Sequence, residues 1–156
     1  MNREELVQKT EQWIINEGYR ISQKDTQRPW GAFWHIHPQD REAFVHRFFY
    51  GRTLFTENFI SPKILLILPH QRLSLQIHRK RSECWTIIQG PVDIVLRTTQ
   101  QTYYSTEQID IPVNTLHRLT GLEEPAIVAE IWIHRDLQNP SDEDDIERWE
   151  DDYQRK

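Results

Sequence analysis

At 156 residues the chain has the length of one domain, and its 37% hydrophobic and 28% charged content, with six Trp, six Phe and five Tyr, suffices to bury a core without covalent staples. A net charge of −5 gives no basic footprint for nucleic acid, the single Cys excludes an internal disulfide, and no run is long and apolar enough to span a bilayer. The charged start M-N-R-E-E, without an apolar secretory segment, leads to the expectation of a cytoplasmic protein that binds neither nucleic acid nor membrane.

In chain order, Leu6, Val7, Thr10, Trp13 and Ile14 recur at helical spacing and predict an amphipathic helix over about 2–17, stopped by Gly18. D-R-E-A-F-V-H-R-F-F, residues 40–49, could form a second short helix with Phe44, Phe48 and Val45 as inward candidates, although helix and strand are hard to separate there. From Lys63 onward the pattern shifts to short β runs: 64–68, 73–78, 83–89, 92–97, 102–104, 108–111, 116–119 and 127–134. Turn signals at Pro69, Gly90-Pro91, Pro112 and Glu124-Pro125 separate most of them, the signature of a sandwich or jelly roll. The tail 139–152 offers an N-cap at Ser141, an acidic first turn, and Ile146 and Trp149 spaced to touch the sheets, which predicts a C-terminal helix. No internal repeat or linker divides the chain.

The segment R-L-S-L-Q-I-H-R-K-R-S-E, from Arg72 to Glu83, carries the most chemistry. On an extended strand Ser74, Gln76 and His78 share one face. If residues 79–82 form a hairpin loop, Glu83 returns beside them, so that one metal ion could take Gln76, His78 and Glu83. His117, after I-P-V-N-T-L, is a further candidate from another strand. Singly, each is an ordinary polar strand residue. Jointly, a carboxylate and an amide on an inner face need a partner, and a divalent cation is one.

The order of motifs resembles the cupin superfamily, and within it the type II mannose-6-phosphate isomerases, including the cupin domain of the bifunctional guanylyltransferase/isomerase enzymes. The resemblance rests on R-P-W-G at Arg28–Gly31, the Arg72–Trp85 segment, I-P-V-N-T-L-H-R-L at Ile111–Leu119, and E-D-D-I-E-R-W-E-D-D-Y-Q-R at Glu143–Arg155. It implies a mainly β double-stranded β-helix, or jelly roll, with flanking N- and C-terminal helices. The single domain 1–156 would then comprise a helical extension (1–27), a jelly roll (28–135) with an insertion near 35–60 that reshapes the barrel mouth, and an acidic C-terminal segment (136–156). It further implies that Gln76, His78, Glu83 and His117 bind one divalent metal, zinc first, with Mn, Fe, Co or Ni as alternatives. The chain departs from the family at Arg79 and Lys80, where two His are usual, and at Cys84, Asn114 and Gly121, where His, Gly and Asn are usual.

The reaction implied is interconversion of an aldose phosphate with its ketose, mannose 6-phosphate with fructose 6-phosphate first, through a metal-stabilised enediolate. Candidates for the base are Glu130 and His134, which alternate onto one strand face, and Lys80 beside the ligands. Arg72, Arg81 and Arg118 are the expected phosphate ligands, although alternation sets Arg118 opposite His117 on a regular strand and makes it a structural ion-pair candidate as well. Cys84 should point away from Glu83 into a core. His35, His37 and His46 lack an acidic partner at recognisable spacing and predict no second metal site. A non-catalytic sugar or sugar-phosphate binding cupin and a metal cupin oxygenase are the rival classes, and a homodimer is a reasonable expectation.

Overall fold

The computed structural model describes residues 1–50 and 60–155. Its strands are β1 (Ile21–Arg28), β2 (Gly31–Ile36), β3 (Ile60–Ile67), β4 (Leu75–Ile77), β5 (Arg81–Gln89), β6 (Val92–Leu96), β7 (Thr99–Tyr103), β8 (Gln108–Ile111), β9 (His117–Gly121), β10 (Ala126–His134) and β11 (Glu147–Glu150). They form two antiparallel sheets, ordered β1-β2-β3-β10-β5-β8 and β11-β4-β9-β6-β7. Phe33, Leu65, Trp85 and Val128 of the first sheet pack with Val92, Ile94 and Leu119 of the second. The fold is thus the mainly β jelly roll that the motifs imply.

Strands β3 and β10 are buried on both faces, which is why their sequences read as nearly unbroken apolar runs. Leu65, Ile67 and Val128 face the other sheet. Ile64, Leu66, Ala129 and Ile131 face outward onto a second core with the helices. Helix α1 (Arg3–Asn16) supplies Ile14 to that outer core, and α2 (Arg41–Phe48) supplies Phe44 and Phe48. Asn2 caps α1 by accepting from the Glu5 N–H at 2.9 Å, and Glu5 Oε1 in turn accepts from Asn2 Nδ2 at 3.0 Å. At the other end Gly18, at φ +95°, completes a Schellman turn: its N–H reaches Ile15 O at 3.0 Å, and that of Tyr19 reaches Ile14 O at 3.3 Å.

Three expectations change. Within the segment 1–27 the helix is joined by a strand, because residues from Ile21 form the polar edge strand β1 on β2. No helix forms at the C-terminus among the described residues. The Asn/Asp-rich run bonds its own backbone instead, as where Asp142 Oδ1 accepts from the Asp144 N–H at 3.0 Å, and the free edge of β4 then takes Glu147–Glu150 as β11. Ile146 lines an internal cavity, but Trp149 is 59% exposed rather than packed. Finally, the described part of the 35–60 insertion builds α2 on the outer face of the first sheet, and none of residues 36–50 lines the cavity between the sheets. The expected reshaping of the barrel mouth falls, for residues 51–59, outside the described residues.

Candidate metal centre and active-site cavity

Gln76 and Glu83 were expected on two strands of one hairpin. They lie instead on different sheets, since β4 pairs with β9 and β11 while β5 pairs with β10 and β8. The chain crosses between sheets at Arg79–Lys80, and the inner faces of both sheets converge on one point. His117 sits directly across from Gln76 on β9. Asn114, standing where the resemblance expects Gly, adopts φ +59°, a conformation that Asn tolerates, and donates its N–H to His78 O at 2.8 Å.

His78, Glu83 and His117 are buried, and their ligand atoms lie within 4.8 Å of one another. Glu83 Oε2 is 3.4 Å from His78 Nε2, and Glu83 Oε1 is 3.5 Å from His117 Nε2. Each imidazole is oriented from behind, since His78 Nδ1 contacts Asp145 O at 2.7 Å and His117 Nδ1 contacts Thr115 O at 2.8 Å. A carbonyl accepts only, so both Nδ1 atoms carry the proton and both Nε2 atoms present lone pairs inward. Glu83 Oε1 and His117 Nε2 are buried without a hydrogen-bond partner, which is costly for a polar core and suits a cation. Gln76 Nε2 lies 3.1 Å from His78 Nε2, while its Oε1 accepts from Ser74 Oγ at 2.7 Å. Rotating the amide by half a turn would present the oxygen to an ion and let the nitrogen donate to Ser74. The donor set of two imidazoles, a carboxylate and an amide oxygen therefore fits a divalent metal.

Burial pushes His78 down to about 4, against the pull of Glu83, so the ring is neutral, as a ligand must be. Burial works to raise Glu83, yet His78, Arg81 and His117 together hold it well below the usual carboxylate range. Arg81 is the permanent cation here: its Nε donates to Glu83 Oε2 at 2.7 Å, its Nη1 to Ser141 Oγ at 2.9 Å, and its guanidinium stacks 3.7 Å over the Trp132 ring.

The cavity beside these ligands, about 50 Å³, is also lined by Lys63, Glu130 and Glu143. Alternation on β10 brings Glu130 and His134 to the inner face, but their fates differ. Glu130 accepts from the indoles of Trp85 and Trp132, each at 2.7 Å, and burial with the nearby Glu83 charge raises it to about 7. His134 lies outside the cavity lining, between Ser61 Oγ at 2.7 Å and the Ser141 N–H at 3.1 Å. Lys80 also lies outside, on a surface crevice with Asp142 and Asp144.

The expected phosphate ligands divide likewise. Arg81 lines the cavity, whereas Arg72 pairs with Asp152 at 2.7 Å, and Arg118 donates to Leu73 O at 2.9 Å and Glu150 O at 3.1 Å. Arg118 follows His117 on a regular strand, so it points the other way. Both residues fasten the C-terminal strap, residues 141–155, over the cavity. Cys84 packs in the outer core, as expected. His35, His37 and His46 do not converge: His35 contacts Glu143 at 2.8 Å, the His37 ring accepts from the Gln39 N–H, and His46 meets Tyr50 edge-on.

Sequence reasoning missed Lys63, Glu143 and Arg28. Lys63 lies across from Glu130 in the β3–β10 register, its Nζ 2.9 Å from Glu143 and 3.8 Å from Glu130, and 4.0 Å from the Phe33 ring centre. The signal was available, because alternation places Lys63 on the same inward face as Leu65 and Ile67, where a charge must have a partner.

The family described as mannose-6-phosphate isomerase C-terminal matches residues 41–151. Mannose-1-phosphate guanylyltransferase 2 of Escherichia coli O157:H7 is 27% identical over 133 residues, 85% of this chain and 23% of that protein. Alginate biosynthesis protein AlgA of Pseudomonas aeruginosa is 29% identical over 136 residues, 82% of this chain and 22% of that protein. The chain thus spans under a quarter of the length of these relatives. Among solved structures, KdgF from Halomonas sp. superposes with a TM-score of 0.56 at 11% identity, over 73% of this chain and 87% of that one, a likeness of fold.

Proposed function

Because the chain belongs to the mannose-6-phosphate isomerase C-terminal family, we propose that it is a metal-dependent aldose–ketose isomerase of a sugar phosphate, with mannose 6-phosphate and fructose 6-phosphate as the first pair. The observation that carries this reading is a buried ligand set with two unpartnered atoms, on Glu83 and His117, beside a cavity lined by Gln76, His78, Glu83 and a Glu130 carboxyl raised to about 7. Gln76, His78, Glu83 and His117 would hold the metal, with zinc the first choice for such donors. A bound divalent ion would supply Lewis-acid stabilisation of the charge developing on the substrate oxygens.

The proton is carried by the chain. Glu130 is the base: an oxygen of its carboxylate takes the proton from the carbon beside the carbonyl and returns it to the former carbonyl carbon, while the hydroxyl proton passes to the former carbonyl oxygen. Its value near 7 keeps both protonation states accessible at neutral pH. Lys63, 3.8 Å away, offsets the charge when Glu130 is ionised. The two indole N–H groups fix the plane of the carboxylate. His134 and Lys80 are not bases in this scheme, being outside the cavity.

The cavity as it stands is smaller than a hexose phosphate, so substrate entry requires the strap to yield. That closure also supports a second reading, a sugar-phosphate binding protein without turnover. Proton NMR in D2O with mannose 6-phosphate and fructose 6-phosphate separates the two. Product with deuterium at C1 or C2, abolished by a chelator, is the expected result. Broadened ligand signals without product or exchange would leave only the binding reading.

A further inference from the structure

Lys63 is a buried ammonium that faces two carboxylates at once. It stands on β3 directly across from Glu130 on β10, and these are the two central strands of the first sheet. Its Nζ lies 2.9 and 3.2 Å from the two oxygens of Glu143 and 3.8 Å from Glu130 Oε1. The Lys63 and Glu130 side chains are 6% and 5% exposed, whereas Glu143, which rides on the strap, is 28% exposed. His35 Nε2 holds the Glu143 carboxylate from the other side at 2.8 Å. One partner of Lys63 is thus built into the sheet, and the other belongs to the segment that must yield for substrate to enter.

We propose that Lys63 and Glu143 are positioning residues that tie the state of the strap to the basicity of Glu130: closure commits Lys63 to Glu143 and leaves Glu130 the stronger base, whereas opening returns Lys63 to Glu130 and weakens it. This rests on the isomerase reading above. A buried ammonium that loses its partner must take another, because an unpaired charge in the interior is very costly. When the strap lifts, Glu130 is the carboxylate that stays within reach, and rotation about the flexible Lys63 side chain closes the 3.8 Å gap. The Phe33 and Trp132 rings, 4.0 and 4.9 Å from Nζ, solvate the ammonium between its two partners. When the strap closes, two hydrogen bonds to Glu143 draw Nζ back. Proton abstraction is thereby confined to the covered cavity, where water is excluded.

The charges around Glu130 give the signs. Burial is the first cause that raises it, Glu83 on β5 and Glu143 on the strap raise it further, and Lys63 on β3 and Arg81 on β5 lower it. His78, Arg28, Arg148 and Arg155 line the same cavity and are left unchanged in the test below. Removing the Glu143 charge frees Lys63 and also withdraws a repulsion, so both effects lower Glu130. Removing Lys63 raises it.

The test is carbon NMR of zinc-loaded protein labelled at the glutamate carboxyls and titrated with pH, with Glu130→Gln to assign the signal. The variants are Glu143→Gln, Glu143→Asp, Lys63→Gln, the double variant of Lys63→Gln with Glu143→Gln, and Asp145→Ala, with the exposed Arg135→Gln as control. We expect the Glu130 midpoint, and with it the acid limb of kcat/KM for mannose 6-phosphate, to fall by about 1–3 pH units in Glu143→Gln and to rise in Lys63→Gln. Glu143→Asp should recover part of the fall, and the control should match wild type. With Lys63 absent, Glu143→Gln should lower the midpoint much less, because only the direct repulsion is left. Asp145→Ala, which loosens the strap at another point, should lower the midpoint wherever hydrogen exchange shows the strap open. If Lys63→Gln fails to fold, Glu143→Gln and Asp145→Ala carry the test. A midpoint unmoved in Glu143→Gln, moved as far without Lys63 as with it, or unmoved in an opened Asp145→Ala strap would overturn the coupling, while chelator-sensitive turnover would leave the isomerase reading intact. The expected shifts in a protein that turns over no sugar phosphate would support the coupling and sink the isomerase.

Discussion

Burial and the nearby Glu83 charge raise Glu130 to about 7, and two consequences follow. As a base it works ionised, so kcat/KM should rise with pH through about 7, and Glu130→Gln should lower kcat by about 10²- to 10⁴-fold with metal content intact. As a buried carboxyl raised from 4.5, it favours the folded chain most below 4.5, and that contribution is lost as pH rises through about 7. Thermal melts of Glu130→Gln should therefore show a smaller decline between pH 5 and pH 8 than wild type. At the proposed ligands, Glu83→Gln and His117→Ala should fold and fail to retain metal, as read by elemental analysis of dialysed protein. Full occupancy in both would refute the ligand set. Gln76, His78, Glu83 and His117 were legible in the sequence because alternation and motif order marked them. Lys63 was not, because the predicted strand began one residue after it, although Ile60–Ile67 forms one strand.

Among the elements, the C-terminal strap departs most from its predicted form. It closes the cavity through Asp145, whose carboxylate accepts from the Arg79 and Lys80 N–H groups at 3.0 and 2.9 Å and from Ser141 Oγ at 2.7 Å. Asp145→Ala should destabilise the strap by about 1–3 kcal/mol. Hydrogen exchange should accelerate over 141–150 while α1 and the β3–β10 ladder stay protected. Uniform acceleration would mean that the strap is part of the global fold rather than a separable closure. By contrast, Gly31 is needed for the assembly of β2 on β3, since a Cβ there would meet Leu66 O at 1.9 Å. Gly31→Ala should cost about 3 kcal/mol by overpacking, read as a lowered denaturation midpoint. The helices and most strands were predictable because their periodicity is local. The β1 edge was not, because its burial pattern is that of a polar surface.

Across the whole molecule, the strap is tied to the first sheet by Lys63–Glu143–His35, a chain between residues far apart in sequence. Burial would raise Glu143, but the His35 hydrogen bond and Lys63 outweigh it and hold the carboxyl at about 2. A depressed carboxyl contributes stability present above its ordinary value of 4.5 and lost as pH falls toward 2. Glu143→Gln should thus be less stable than wild type at pH 6, and the difference should shrink below pH 4 in urea denaturation. By itself the sequence determined a sandwich or jelly roll, the N-terminal helix and which residues are candidate ligands, because alternation, helical spacing and turn residues act over a few neighbours. Only the tertiary structure decided that Gln76 and Glu83 meet across two sheets rather than along a hairpin, and that the acidic tail contributes the short strand Glu147–Glu150 rather than a helix. It also turned Arg72 and Arg118 to fasten the strap while Arg28, Arg148 and Arg155 reach the cavity. Those outcomes depend on which strand edge is left free and which faces converge, and contacts between distant segments are not encoded in any local pattern.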